Sequence, residues 1–502
     1  MFRHTIVRSA LILTLANIIT RLLGFFYRIF MSNAIGAEGM GLYQLISPIY
    51  MLVWAFSSAG LSTAISKLTA EQKATRSYGN MHRLVIIASC FSIMLAVLAS
   101  VLVYINAPYV CTYLLKDDRT VLSLKILALC FPFMAAGSCL RGWFYGIQEA
   151  AVPAECQVLE QCTRMAVVYI LSFSMLNKGL EAACAMAVTG MAAGEIISFA
   201  YVAFRAAFRK HHLNSRATIS YRKTGMMLLA LALPLTLNRV TGTLLSGLEN
   251  FLIPSKLQLF GLTRSNAVSL YGQLCGMAMP LVMFPSSLLT ALATALMPAV
   301  SEANAEGSTK SISSAIEKSL TFTAVIGIGT AGLFICLPQE LGEVIYNQKD
   351  IGYLLRLLGV VCPFIYLQVT LSGILNGLGK QLYIFTVNLL SSLFNIGFIC
   401  MFVPKYGIEA YIFGWFVSIV TTSALSLNLA ACCTKIRLYL NNILLKPLAA
   451  IGIACISLRF FTAKNSISLF SVPALASAII FIGSIYLVLI LLLGVFPKYQ
   501  RR

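Results

Sequence analysis

Two guanidinium groups, Arg21 and Arg28, interrupt an apolar stretch that runs Thr-Leu-Ala-Asn-Ile-Ile-Thr-Arg-Leu-Leu-Gly-Phe-Phe-Tyr-Arg from Thr14 to Arg28. They stand two helical turns apart, and Thr14, Asn17 and Gly24 fall on nearly the same stripe, so one face of this helix is polar and cationic. An arginine near the middle of a bilayer helix costs roughly 2.5–3.5 kcal/mol on insertion scales, so it normally faces a wet cavity or a partner. Two readings follow. Either Arg21 pairs with a buried carboxylate and Arg28 snorkels to a headgroup, or both point into a cavity that receives an anion.

Other residues with chemistry lie further on. Glu160 and Arg164 are spaced for an i,i+4 ion pair in the favourable order, a structural pair or part of a cavity lining. Arg141 is expected at the cytoplasmic end of its span, as a gate cation or a simple anchor. Glu195, beside Gly194, is a buried acid with no evident partner. Arg239, Gly242, Ser246 and either Glu249 or Asn250 share one helical face, and Asn388, Ser392 and Asn395 share another. All four histidines are predicted in loops or at the N-terminus, which removes a histidine proton relay. Gly377-Leu378-Gly379-Lys380 lacks the spacing and hydroxyl of a phosphate-binding loop. The 14 cysteines mostly sit inside apolar spans with no paired CxxC spacing, so neither a disulfide framework nor a metal site is expected.

What positions these residues is a membrane. With 59% hydrophobic and 11% charged residues among 502, the chain is too apolar for a water-soluble fold and is expected to be all-α and polytopic, with about fourteen transmembrane helices. The net charge of +20 would point to nucleic acid in a soluble protein. Here Lys and Arg concentrate at the termini and in even-numbered loops, which reports topology, puts both termini in the cytoplasm and gives no nucleic-acid partner. The N-terminal Arg3, His4 and Arg8 superficially resemble a signal peptide, but the apolar run is long and Arg21 interrupts it, so an uncleaved first helix is expected.

The sequence repeats itself. Pro132-Phe133, Leu140, Gly142 and Gly146 recur at one constant offset as Pro363-Phe364, Leu371, Gly373 and Gly377. Tyr43, Phe56 and Gly179-Leu180-Glu181-Ala182 recur at a slightly shorter one as Tyr271, Phe284 and Gly407-Ile408-Glu409-Ala410. Six spans per copy give two lobes of the same orientation, with a substrate site expected between them. The expected division is an N-lobe at 1–207, a basic cytoplasmic linker at 208–224, a C-lobe at 225–434 and two additional helices at 435–502.

At this point a family resemblance emerges. Thr20-Arg21-Leu22-Leu23-Gly24-Phe25, Ile35-Gly36-Ala37-Glu38-Gly39, Gly41-Leu42-Tyr43 and Ala64-Ile65-Ser66-Lys67 resemble the start of the stage V sporulation protein B group, in the multidrug/oligosaccharidyl-lipid/polysaccharide exporter superfamily. So do Arg141-Gly142-Trp143-Phe144-Tyr145-Gly146 and Phe284-Pro285-Ser286 through Pro298-Ala299-Val300-Ser301-Glu302-Ala303. The resemblance implies a flippase, not an enzyme, that moves polyprenyl-diphosphate-linked sugars, precursors of the cell wall or of polysaccharides, by alternating access and needs no cofactor. Arg21, Arg28 and Asn17, with Arg164 and Glu160, would meet the diphosphate, since the arginine fork matches phosphate oxygens. Arg141 would gate the cavity. Related flippases also imply a coupling-cation site, for which Glu249, Asn388 and Ser392 are the candidates; sodium, a proton and the membrane potential remain open as the drive. The expected partners are the lipid-linked sugar and membrane lipids, and the protein is expected to be a monomer. Two rivals stand beside this reading: a multidrug exporter of the same superfamily, and a membrane glycosyltransferase or ligase using the acids of Lys116-Asp117-Asp118-Arg119.

Overall fold

The computed structural model describes residues 2–75, 77–208, 218–306, 309–434, 441–465 and 468–495. Helices dominate, and there is no strand among the described residues. That is what hydrocarbon dictates, because each backbone N–H and C=O must find its partner within its own segment. The main helices are α1 (Phe2–Trp54), α2 (Gly60–Ala74), α3 (Tyr78–Ile105), α4 (Val121–Gly146), α5 (Ala151–Met175), α6 (Leu180–Ala207), α7 (Tyr221–Leu259) and α8 (Arg264–Tyr271). They continue as α9 (Ser286–Ala305), α10 (Thr309–Cys336), α11 (Pro338–Tyr346), α12 (Asp350–Gly377), α13 (Gln381–Thr434), α14 (Lys446–Lys464) and α15 (Val472–Leu492).

Among the described residues, eleven stretches are long and apolar enough to cross a membrane, or twelve when Arg264–Met283 and Ser286–Thr294, bent by 57°, count as one span. Two further crossings complete the expected set. Leu15–Ala74 holds a pair of them because Gly36, at φ 68°, breaks the helix where a side chain would be strained. α5 has 25 residues, but Glu155, Glu160 and Arg164 lower its hydropathy. The outer faces suit lipid: Val472–Leu492 has a mean hydropathy of 2.7, yet only 28% of that window is buried. This is a multi-pass, all-α membrane protein.

Packing divides the chain into two compact units, one of residues 1–255 with 263–272 and the other of 256–262 with 273–502. The first thus takes in most of α7, whereas the sequence reading begins the second lobe at 225. Close backbone approach is the physical reason. A Cβ on Gly60 would lie 2.1 Å from Thr236 Oγ1 and 2.6 Å from the Ala232 carbonyl, so α2 and α7 touch where only glycine fits. Between them lies a core built on Leu61, Ile65, Leu84, Trp143, Phe144 and Leu228. The Arg209–Arg216 stretch of the basic connection lies outside the described residues. Just beyond it, Asn80 accepts the backbone N–H of Thr218 at 2.8 Å and of Ile219 at 3.0 Å, and the Arg83 guanidinium stacks over Tyr221.

The internal repeat is visible in backbone geometry. Lys116 and Asn347 have φ of 54° and 53°, Gln148 and Gly379 of 65° and 73°, Gly179 and Gly407 of 97° and 69°. The first two pairs are separated by the offset of Pro132 and Pro363, the third by that of Tyr43 and Tyr271. Left-handed conformations are costly for residues with a Cβ, so their recurrence at Lys116 and Asn347 marks a shared local fold. Packing repeats as well. A Cβ on Gly142 would meet the Ser62 carbonyl at 2.5 Å and one on Gly373 the Ala293 carbonyl at 2.9 Å; Gly146 faces Ser66 and Thr69 as Gly377 faces Met297 and Val300. The second unit's core follows suit, with Leu296, Ile374 and Leu375 standing where Ile65, Trp143 and Phe144 stand in the first.

Candidate functional site: an ionic network in the first unit

The first unit holds a cluster of charge among membrane helices. Its residues come from α1 after the Gly36 break (Tyr43, Tyr50), from α4 (Arg141), from α5 (Glu160, Gln161, Arg164) and from α6 (Glu195, Ser198). Tyr50 donates its hydroxyl hydrogen to Glu195 Oε1 at 2.5 Å, and both side chains are buried. Arg141 donates to Ser198 Oγ at 3.0 Å and brings its other Nη to 4.0 Å from Glu195 Oε2. Arg164 donates to Glu160 Oε1 at 2.7 Å. Glycine on α6 makes this density possible, since a Cβ on Gly194 would sit 2.9 Å from the Glu160 carbonyl and one on Gly190 2.3 Å from Val168 Cγ2. Two cations thus meet two carboxylates, the arrangement that lets charge persist away from water.

The Glu160–Arg164 pair forms as its spacing predicts. Of the two readings of Arg141, gate cation or anchor, neither is decided by its surroundings, but its guanidinium turns into the network near the end of α4 and is only 16% exposed. The reason is Glu195, which gains from Arg141 and Tyr50 the partners that sequence reading did not assign. Tyr50 and Ser198 escaped notice because a tyrosine or serine in an apolar span looks like ordinary packing; the unexplained acid on α6 was the signal that a donor must face it.

Several buried polar atoms of this region have no hydrogen-bond partner among the described residues: the Tyr27 hydroxyl, Gln161 Nε2, Arg164 Nε and Glu195 Oε2. Three of the four are donors. A group rich in acceptor oxygens would satisfy them, because a buried donor left unmade costs about 1–3 kcal/mol. Gln161 Nε2 would lie 3.9 Å from a Cβ placed on Gly24, so α5 packs directly on the first half of α1.

On that half, Tyr27 faces inward while Arg21 and Asn17 are exposed and Arg28 is half-exposed. No carboxylate among the described residues pairs with Arg21 or Arg28. The side chain of Thr14 lies outside the described residues. Glu249 is half-buried on α7 with Arg239 exposed on the same helix, and Asn250 accepts the Tyr271 hydroxyl hydrogen at 3.1 Å. Asn388 (exposed), Ser392 (half-exposed) and Asn395 (buried) belong to the second unit, as do Ser391 and Ser418, whose hydroxyls are 2.6 Å apart. At the offset of Pro132 and Pro363, Ser391 and Asn395 stand where Glu160 and Arg164 stand. The first copy is therefore ionic where the second is neutral.

The acids at Asp117 and Asp118 are occupied structurally. Asp117 is buried and takes a two-pronged bond from Arg119 (2.8 and 3.0 Å) and a contact from Arg264 at 3.4 Å; Arg119 also reaches Glu38 at 2.8 Å. Asp118 accepts from Thr112 at 2.6 Å. Burial alone would raise the Asp117 carboxyl, but the hydrogen bonds from Arg119 and the charges of Arg119 and Arg264 outweigh it and hold it below its ordinary value. A depressed carboxyl stabilises the fold above its unfolded value of about 3.9, and that contribution is lost as pH falls through the folded value. Asp117→Asn is therefore expected to lower the thermal midpoint at neutral pH and to flatten its fall below about pH 4. A midpoint unchanged at pH 7 would contradict this.

Comparison with known proteins decides the family. Residues 6–304 match the family model described as polysaccharide biosynthesis protein. The chain belongs to that family. Residues 274–401 of this polysaccharide biosynthesis family member also match the MatE family. Stage V sporulation protein B of Bacillus subtilis (strain 168) is 28% identical over 416 residues, covering 81% of this chain and 80% of the relative. Lipid II flippase MurJ of the same organism is 24% identical over 354 residues, 64% of each chain. Among solved structures, the lipid II flippase MurJ in an inward closed conformation aligns with a TM-score of 0.71 at 15% identity, covering 96% of this chain and 99% of that one. An inward-facing multidrug resistance MATE family transporter of the MOP superfamily aligns at 0.67 with 13% identity, covering 85% and 98%. The family member is a multi-pass transporter of the multidrug/oligosaccharidyl-lipid/polysaccharide superfamily, and the stage V sporulation protein B-like resemblance read from its sequence holds.

Proposed function

We propose that this transporter is a flippase carrying a polyprenyl-diphosphate-linked sugar, a cell-wall or polysaccharide precursor, across the cytoplasmic membrane by alternating access. The observation that carries the reading is the first helix: Arg21 and Arg28 stand two turns apart, open or half-open, with no described carboxylate to neutralise them. A desolvated diphosphate needs such donors. A multidrug exporter for organic cations needs free carboxylates instead, and in the first unit Glu160 and Glu195 are already held by Arg164, Tyr50 and Arg141. Both termini lie in the cytoplasm in this reading, and the protein works as a monomer without a cofactor. Purified protein in vesicles is expected to move a fluorescent lipid-linked precursor between leaflets and to leave fluorescent organic cations where they are. Movement of the cations alone would overturn the proposal.

Glu249, in the first unit, is the proposed coupling residue; Asn388 and Ser392, on α13 of the second unit, are further polar candidates taken by themselves. Substituting Glu249 with Gln is expected to abolish any dependence of precursor movement on a sodium gradient while leaving slow, gradient-independent movement. Retained sodium dependence would remove Glu249 from coupling.

A further inference from the structure

The second unit contains a cysteine pair that the transport reading does not use. Cys336 is the last residue of α10, and Cys455 lies on α14, the first of the two helices outside the repeat. The helices run side by side. A Cβ on Gly332 would lie 2.2 Å from Ile451 Cγ1, the Cys455 thiol reaches the Gly332 carbonyl at 3.7 Å, and Arg459, one turn further, donates to the Cys336 carbonyl and to Glu340 Oε1 at 2.9 Å. Because a helical side chain leans toward its own N-terminus, the Cys336 thiol falls back toward the level of Cys455. The Cys455–Gly332 contact and the Arg459–Cys336 bond bracket the two thiols, one turn of α10 apart. Both are free and partly exposed, and Arg459, with about half of its side chain exposed, marks this as a helix end near water.

We propose that Cys336 and Cys455 are a disulfide-forming modification site that staples the C-terminal helix pair to the repeat core. The proposal rests on the orientation given above, which puts the ends of α10 and α14 on the outer side, where disulfides persist. The oxidant is a disulfide, either of a thiol oxidoreductase or of low molecular weight. The Cys336 thiolate, beside the Arg459 guanidinium, attacks one sulfur of that disulfide, forming a mixed disulfide and expelling one thiolate. Deprotonated Cys455 then attacks the Cys336 sulfur and expels the second thiolate. In sum the protein loses two electrons and two protons, and the oxidant gains the electrons as two thiols.

The staple would reinforce contacts already present. Tyr486 on α15 donates to the Val325 carbonyl at 2.8 Å and packs against Gly329, so α10 presents small residues to both added helices. Reduction would leave that docking to packing and these noncovalent bonds.

The test uses the full-length protein in intact protoplasts exposed to glutathione disulfide, which stays outside, followed by thiol blocking with N-ethylmaleimide and peptide mass spectrometry. The expected result is a Cys336–Cys455 linked peptide that dithiothreitol removes, together with a higher thermal midpoint of the oxidised purified protein than of the reduced. Cys455→Ser is expected to abolish both the link and the shift; the wild-type peptide measurement stands by itself should that variant fold poorly. Both cysteines carrying N-ethylmaleimide after oxidation, or Cys336 linked to a different cysteine, would overturn the site. A link forming only after permeabilisation would overturn its outer control and, with it, the proposed orientation, without touching the precursor-transport assay.

Discussion

Arg21→Ala is expected to slow precursor movement in reconstituted vesicles by roughly 10- to 100-fold. The magnitude follows from losing hydrogen bonds between a guanidinium and a phosphate, worth about 1.5–3 kcal/mol when one partner is charged, at about 1.4 kcal/mol per factor of ten. Folding should be spared, because Arg21 is exposed and no described carboxylate holds it. The thermal midpoint is therefore the control, and it should match wild type. Arg21→Lys is expected to fall between the two, since a lysine keeps the charge but loses the planar fork that bonds two phosphate oxygens at once. An alanine variant that moves precursor at the wild-type rate would show that the exposed guanidinium is not where the headgroup binds, and the cargo-holding role would have to shift to Arg28 or to the donors near Gln161 and Arg164.

Glu160→Ala is expected to act in the opposite way, through stability first. Arg164 keeps only 18% of its side chain exposed, and Glu160 is the acceptor that the described residues supply to it. Removing the carboxylate leaves a largely desolvated cation, a loss of about 3 kcal/mol, the low end for breaking a buried pair because some exposure remains. The readout is the thermal midpoint and monodisperse yield of purified protein. The exchanged pair, Glu160→Arg with Arg164→Glu, is expected to recover much of the loss, although the reversed order is less favourable on a helix. Failure of the exchange to recover anything, alongside an unstable alanine variant, would mean that Glu160 acts through its packing against Gly194 and not through charge. An alanine variant as stable as wild type would show that the cation finds water, placing this part of α5 at a hydrated surface.

The two variants separate binding from scaffolding. Arg21 and Arg164 are both arginines in apolar helices, yet one has no carboxylate partner among the described residues and the other is locked into an ion pair. Composition cannot tell them apart. The i,i+4 spacing of Glu160 and Arg164 can, because helical geometry alone brings those side chains together.

That contrast runs through the molecule. Class, helix number and the repeat were legible in the chain because each depends on local or periodic properties: hydropathy over a span, the spacing of Gly and Pro, and one offset linking Gly142 with Gly373. The repeat even extends to backbone angles at Lys116 and Asn347. Glu195 was legible only as an acid in need of a donor. Its partners, Tyr50 and Arg141, come from helices distant in sequence, and no periodicity connects them. The inward turn of Arg141, the burial of Asp117 between Arg119 and Arg264, and the meeting of Cys336 with Cys455 are of the same kind. Each is fixed by which helices touch, and helices touch where glycine allows, at Gly60, Gly190, Gly194 and Gly332. Sequence determined that this chain crosses the membrane many times in two related copies and presents arginines on its first helix. Beyond the local Glu160–Arg164 pair, tertiary structure alone decided which of its charges neutralise one another and which stay open, because such pairing depends on distances between segments that the order of residues does not specify.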